Sequence, residues 1–351
     1  MSINFNLLQK IVEIPGTSGF EHQIRNYISE LLKDACDEMY TDHMGNLICL
    51  KKGKDSSKKA MVAAHLDEIG FIVTHIDDKG FVRFHPIGGF DPKTLTAQRV
   101  IVHGKKDVIG VMGSKPIHVM TPEERNKVPQ IKDYFIDLGM PKEEVEKYIS
   151  LGNPVTRERT LIEMGNCVNG KSLDNRISVY ILAETLMELK NASIPYDLYA
   201  VFTVQEEVGI RGAHVAAHHI EPDFSFGLDT TIAFDTPGST PNEMITEMGK
   251  GTAIKVMDAS AICDYRMVEY MKQVANKHEI KHQFEILTAG GTDTAGMQRM
   301  APKGTIAGAV SIPTRHIHQV IEMCDKTDVR LSIDLLKNCI SELDQFDWNH
   351  R

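Results

Sequence analysis

The sequence lacks a basic excess. Lys and Arg number 39 against 48 Asp and Glu, for a net charge of -9 at pH 7 and an isoelectric point near 5.9. That balance argues against nucleic acid as a partner, which calls for a basic stripe along one face. Mild acidity affects solubility and names no partner of its own. CxxC pairs are also lacking: the six cysteines, Cys36, Cys49, Cys167, Cys263, Cys324 and Cys339, stand apart. Several sit among apolar residues, as in Asn46-Leu-Ile-Cys-Leu50, and so read as buried free thiols rather than a thiolate metal site. No apolar run approaches the roughly 18 residues that a bilayer requires. The opening MSINFNLLQKIVEIPG has no basic stretch followed by a long apolar one, so no signal peptide is expected and the cytoplasm is the default location. Repeats and low-complexity segments are missing as well.

What remains is a chain of 351 residues, 42% apolar and 25% charged, enough for two domains or for one large domain carrying an insertion. The first 60 residues read as helix, helix, strand. Ser18 to Glu21 matches a capping box ahead of a helical pattern running to Leu32, and 46–51 and 59–64 read as strands. From about Gly70 to Thr160 the texture becomes β-rich, with turn signals at Asp78-Lys-Gly80 and Gly104-Lys-Lys-Asp107 and one helix from Pro141 to about Ile149. After Gly170 strands and helices alternate. Helices fit 175–190, 212–219, 264–278 and 327–343, and strands fit 198–204, 224–228, 282–287 and 305–312. Alternation of this kind predicts an α/β sandwich on a largely parallel sheet. The expected organisation is an α/β domain formed by 1–69 and 161–351, interrupted by a β-rich module at 70–160.

Chemistry-bearing residues cluster at the ends of apolar runs. MVAA ends in His65-Leu-Asp67-Glu68, LYAVFTVQ in Glu206-Glu207, FSFGL in Asp229, and GAVSIPTR leads into His316-Ile-His318; the loop KSLDNR places Asp174 just before a helix. In open α/β sheets ligands bind beyond the carboxyl ends of strands. Any one of these residues alone would read as a cap, a turn or a solvated group. Together, several carboxylates on one rim repel one another unless something compensates. Two His with three carboxylates suit zinc or a similar divalent ion. His75, His85 and His103 fall in the β module, and His214, His218 and His219 on a short helix read as surface or packing. His118, after Lys-Pro-Ile, is a minor candidate for a place near the site.

At these residues the sequence resembles the M42 family of metallo-aminopeptidases, glutamyl and tetrahedral aminopeptidases among them. The matching pieces are Ala64-His-Leu-Asp-Glu-Ile-Gly70, Pro86-Ile-Gly-Gly89, Phe135-Ile-Asp-Leu-Gly139, Ser172-Leu-Asp-Asn-Arg176, Gln205-Glu-Glu-Val-Gly209 with Arg211-Gly212, Asp235-Thr-Pro-Gly238, Gly291-Thr-Asp293 and Thr314-Arg-His-Ile-His318. They keep the family's order across nearly the whole chain. The resemblance implies a three-layer α/β/α zinc-peptidase-like domain interrupted by a barrel-like insertion that mediates dimer contacts, within homo-oligomers of up to twelve subunits. It implies two divalent ions per subunit, with zinc foremost and cobalt or manganese as alternatives. His65 and Asp229 would hold one ion, Glu207 and His318 the other, and Asp174 would bridge. Glu206 would be the general base, and Asp67 would orient His65. His318 is preferred over His316 as ligand. Two positions depart from many relatives: Asn175 stands where a second Asp is common, and Gln319-Val320 follow His318 in place of Ser-Pro.

The implied reaction removes the amino-terminal residue of a peptide. Rival readings keep the metals and change the substrate, as a deacylase or carboxypeptidase, or drop them, as a glycoside hydrolase with two flanking carboxylates. A non-enzymatic assembly module would need lost ligand positions, and none is lost. Peptides are the expected partner; nucleic acid and membrane are not.

Overall fold

The computed structural model describes residues 3–351. Two helices open the chain, α1 (Phe5–Glu13) and α2 (His22–Leu32), followed by strands β1 (Glu38–Thr41), β2 (Leu47–Lys51) and β3 (Asp55–His65). Six strands come next: β4 (Gly70–Ile76), β5 (Val82–Ile87), β6 (Arg99–His103), β7 (Asp107–Gly113), β8 (Phe135–Asp137) and β9 (Pro154–Arg157), with short helices α3 (Pro122–Arg125) and α4 (Lys142–Tyr148). The remainder supplies β10 (Ile162–Met164), β11 (Cys167–Gly170), α5 (Leu173–Leu189), β12 (Tyr196–Thr203), α6 (Arg211–Ile220) and β13 (Phe224–Ile232). It continues with β14 (Thr252–Met257), α7 (Tyr265–Lys277), β15 (His282–Ile286), α8 (Asp293–Met300), β16 (Ile306–Arg315), β17 (Glu322–Asp325) and α9 (Lys326–Ser341).

The large sheet runs β1-β2-β12-β3-β13-β16-β17-β11-β10, with β14 beside β16 and β15 beside β14. Its centre, β12-β3-β13-β16, is parallel. Strand β3 shows why this is a sandwich: Ala60, Val62 and Ala64 enter one core while Met61 and Ala63 enter another. A period of two with both faces buried requires a continuous apolar run, which is what β3 has. The larger core packs α1, α2, α5, α7 and α9 on one face, and the smaller packs α6 and α8 on the other. Helix α5 is buried around nearly its whole circumference, as a central helix must be.

Strands β4 to β9 close on themselves in the order β4-β5-β8-β7-β6-β9. Their inward residues, Phe71, Val82, Val100, Val102, Ile136 and Val155 among them, form a hydrophobic core of their own. Closure pairs every strand on both sides and leaves no edge exposed.

The expected capping box at Ser18–Glu21 does not form. Helix α2 starts at His22 without a side-chain cap. The Ser18 hydroxyl instead donates to Asp67 at 2.6 Å, and Glu21 accepts the N–H groups of Gly19 and Gln205 at 2.8 and 3.0 Å. Both side chains are drawn to a buried polar centre whose needs outweigh a helix end.

Candidate metal centre

The parallel strands end together. Thr203 of β12 sits opposite His65 of β3, and Asp229 of β13 sits opposite Ser311 of β16. The four carboxyl ends therefore deliver His65, Glu206-Glu207, Asp229 and the loop after Arg315 to one rim. The start of α5 reaches the same rim and contributes Asp174, whose backbone departs from helical angles there.

Two triplets of donors result. His65, Asp174 and Asp229 present ligand atoms within 4.8 Å of one another, and so do Asp174, Glu207 and His318. Asp174 belongs to both. Its Oδ1 lies 3.5 Å from His65 Nε2 and its Oδ2 lies 3.2 Å from His318 Nε2. Glu207 Oε2 is 3.4 Å from His318 Nε2, and Asp229 Oδ1 is 3.8 Å from His65 Nε2. Glu206 belongs to neither triplet, although its Oε2 stands 3.7 Å from His65 Nε2. His316 is exposed and joins neither cluster among the described residues.

Asp67, fully buried, organises this arrangement from behind. Its carboxylate accepts the backbone N–H of Glu206 at 3.0 Å and of Glu207 at 3.1 Å, besides the Ser18 hydroxyl. His65 Nδ1 faces the Asp67 carbonyl at 3.1 Å and its carboxylate at 3.4 Å. Both are acceptors, so Nδ1 carries the proton and Nε2 is left with a lone pair toward the triplet. Glu68, the next residue, holds a different loop. It takes Lys171 Nζ at 2.7 Å and the Ser172 hydroxyl at 2.5 Å, which fixes the approach to Asp174. Arg176 then ties that loop down by donating to the carbonyls of Leu66, Ile11 and Ile14. Asn175 donates to the Leu228 carbonyl at 2.9 Å, one residue before Asp229. The KSLDNR segment is thus a clamp in which only Asp174 faces the triplets.

The electrostatics call for a cation. Burial pushes the carboxyls of Glu206 and Asp229 well above their usual range, with repulsion among Asp229, Glu207, Asp174 and Asp293 adding to it. Glu207 is raised to about 7 by burial and by Asp174. Burial opposes charge on His318 too, but Asp174 and Glu207 outweigh it and lift the imidazole to about 9. Glu207 Oε1 is buried with no hydrogen-bond partner among the described residues. Without a cation the cluster must retain protons, whereas divalent ions shared between two nitrogens and three carboxylates would relieve both the repulsion and the orphaned oxygen. The donor set fits a pair of such ions.

Three further side chains serve the centre without a role foreseen in the sequence. Asp293, at the start of α8, is buried, accepts the Thr203 hydroxyl at 2.5 Å and has its carboxyl raised to about 6, first by burial. Glu322 accepts the N–H of Asp174 at 2.8 Å and of His318 at 2.9 Å. Arg157, at the end of β9, donates to the His318 carbonyl at 3.0 Å. The spacing His318-x-x-x-Glu322 was the available signal for Glu322; nothing local marks Arg157. His118 sits in an exposed turn and does not line the cleft. His218 and His219 are exposed on α6.

The centre opens into a cleft of about 570 Å³, walled by Ile210, Ile232, Leu287 and Ile317, by Gly290 to Thr292, and by Lys255. Lys255 is buried between Asp258 at 2.9 Å and Glu285 at 3.1 Å.

A family model described as M42 glutamyl aminopeptidase matches residues 45–335. The chain is 34% identical over 358 residues to the lysyl aminopeptidase of Pyrococcus furiosus, covering 99% of each chain. Among solved structures it superposes on an aminopeptidase of the archaeon Desulfurococcus kamchatkensis with a TM-score of 0.92 and 37% identity, over 96% of this chain and 94% of that one. The TET1 peptidase of Pyrococcus horikoshii, which can assemble into a tetrahedron or a large octahedral shell, matches with a TM-score of 0.87 and 30% identity, over 96% and 99%.

Proposed function

The chain belongs to the M42 family of aminopeptidases, and from that premise we propose how its residues divide the work of metal-dependent peptide hydrolysis. It is a hydrolase acting on peptide bonds. One divalent ion would be held by His65, Asp174 and Asp229, and a second by Asp174, Glu207 and His318, with Asp174 bridging. Zinc is the first choice and cobalt or manganese the alternatives, since imidazole and carboxylate donors accept all three. The observation that carries this reading is the Asp174 carboxylate, whose two oxygens face His65 and His318 at 3.5 and 3.2 Å.

When bound, such ions polarise the scissile carbonyl and lower the pKa of an attacking water. Glu206 is the base. It reaches the rim without joining either triplet, and its raised carboxyl accepts the water's proton and returns it to the leaving amine. Asp67 keeps the Glu206 and Glu207 backbone and the His65 ring in register. Asp174, Glu206, Glu207 and Asp229 line the cleft, four carboxylates whose charge two divalent ions would balance. The amino-end preference is carried over from the aminopeptidase relatives, and amino-blocked substrates test it against a deacylase or carboxypeptidase.

We extend the proposal to assembly and location. The barrel exposes Ile109, Val111, Ile117, Val119 and Val128, an apolar surface suited to a second copy of the chain. A dimer-based homo-oligomer, as large as a dodecamer, is the assembly this supports, given the shells formed by the P. horikoshii relative. No helix among the described residues is long and apolar enough to cross a membrane; the free cysteines support the proposed cytoplasmic location, and the aminopeptidase relatives support peptide substrates.

Hydrolysis of aminoacyl reporter amides, free and amino-blocked, with metal-stripped protein and each metal restored, tests the reading. Free-amine substrates alone should turn over. Asp174→Ala should lose bound metal and activity together; a fully active Asp174→Ala protein would remove the bridging assignment.

A further inference from the structure

The loop that presents His318 has an unusual backbone. His316 and His318 both take positive φ, at 61° and 65°, a region that strains a side-chain-bearing residue. Such angles persist only where surrounding contacts over-determine them. At His318 two buried side chains do so, one on each side of the residue. Glu322, buried at the start of β17, accepts its N–H at 2.9 Å, and Arg157, 3% exposed, donates Nη1 to its carbonyl at 3.0 Å. The same Glu322 carboxylate takes the Asp174 N–H at 2.8 Å, so the backbones of two residues of one triplet hang on one group.

Arg157 differs from Glu322 in where it comes from. It ends β9 and belongs to the barrel, paired with Val100 in the ladder. Its guanidinium lies over the Phe90 ring, 5.5 Å from the centroid, and that ring stacks on Phe71 of the barrel core at 4.4 Å. Gly89, beside Phe90, faces the His318 ring: an added Cβ would lie 3.4 Å from Nδ1, in ordinary contact. Arginine suits this task because its planar fork fixes direction as well as charge and stacks on an aromatic face.

We propose that Arg157 is a positioning residue for His318, so that the barrel sets the geometry of the second metal site. The proposal rests on the reading of His318 as a ligand. The consequence is that ion affinity at the Asp174–Glu207–His318 triplet depends on a side chain that touches neither ion nor substrate.

The test is metal binding by calorimetry and elemental counting, beside steady-state kinetics. Arg157→Met should weaken the ion at the Asp174–Glu207–His318 triplet by roughly 10- to 100-fold, the range typical of lost supporting contacts. The other ion should keep its affinity, and excess metal should restore kcat with little change in KM. Arg157→Lys, with charge but no fork, should fall between. In a His318→Ala background Arg157→Met should change metal affinity no further, because a residue acting through His318 has nothing left to act on. Full affinity for both ions in Arg157→Met, or an equal loss in the His318→Ala background, overturns the proposal. Should Arg157→Met fail to fold, Phe90→Ala removes the ring beneath the guanidinium; a smaller loss at the same ion supports the proposal and an unchanged affinity overturns it. His318→Ala that keeps both ions would overturn the ligand reading and this proposal with it. His318→Ala that loses one ion beside an unaffected Arg157→Met would overturn this proposal alone.

Discussion

At Glu206 and Glu207 two adjacent residues of one type differ in the direction their side chains take, and the proposed function gives them different work. Glu207 points at His318, and Glu206 stands apart from both triplets with its carboxyl raised by burial. Glu206→Gln should therefore retain both ions while kcat falls by roughly 10²- to 10⁴-fold, the usual worth of a positioned base; elemental analysis and kinetics on one preparation check it. Glu21 offers a pH prediction. Burial, with Asp67 nearby, raises its carboxyl to about 7 against the hydrogen bonds from Gly19 and Gln205. A folded pKa above the unfolded one means that the folded state binds the proton more tightly. The associated stability is complete below about pH 4.5 and is lost as pH rises through about 7, by at most on the order of 3 kcal/mol. Denaturation of Glu21→Gln across that window should show a flatter decline than the parent. Residue types at the rim were legible because strand ends concentrate them. The place of Asp67 beside His65 was expected from the resemblance, but its hold on the 206–207 backbone and the pairing of Glu68 with Lys171 were not legible, since adjacent carboxylates look alike until the fold separates them.

Among elements, β13 and α8 meet at Gly227. An added Cβ there would lie 2.0 Å from Thr294 Oγ1, so Gly227→Ala forces the helix away from the strand. The expected cost is about 1–3 kcal/mol of stability, read by denaturant unfolding, with reduced activity as Asp293, buried near Glu206 and Asp229, is displaced. The long helices and the parallel strands were readable from apolar spacing. Strands β14 and β17 and helix α8 were not: β17 spans four residues, and Gly296 and Thr294 weaken the helical pattern of α8. The pairing of β14 with β16, like the barrel's strand order, depends on contacts distant in sequence. The Ser18–Glu21 capping signal was locally sound and lost to a tertiary demand.

For the molecule as a whole, the carboxylates of the centre are a liability that bound cations would remove. Metal removal by a chelator should lower Tm, and restored metal should raise it with a logarithmic dependence on free ion, as binding to the folded state alone requires. A metal-independent Tm would contradict the two-ion reading. Light scattering and sedimentation should find a multiple of the 39.3 kDa chain, and charged substitutions at Ile109 and Val119 should shift it toward the monomer.

The order of strands in the sheet also dictates a schedule. Strand β3 lies between β12 and β13, yet the whole barrel is synthesised between β3 and β12. On the ribosome the barrel, whose pairings are all internal, can close while β3 still waits for its neighbours. The loop carrying His318 emerges only near the end of the chain, after β16. A nascent peptidase built in this order has no assembled centre until translation is almost finished, so an interrupted chain is released inert rather than as a partial enzyme.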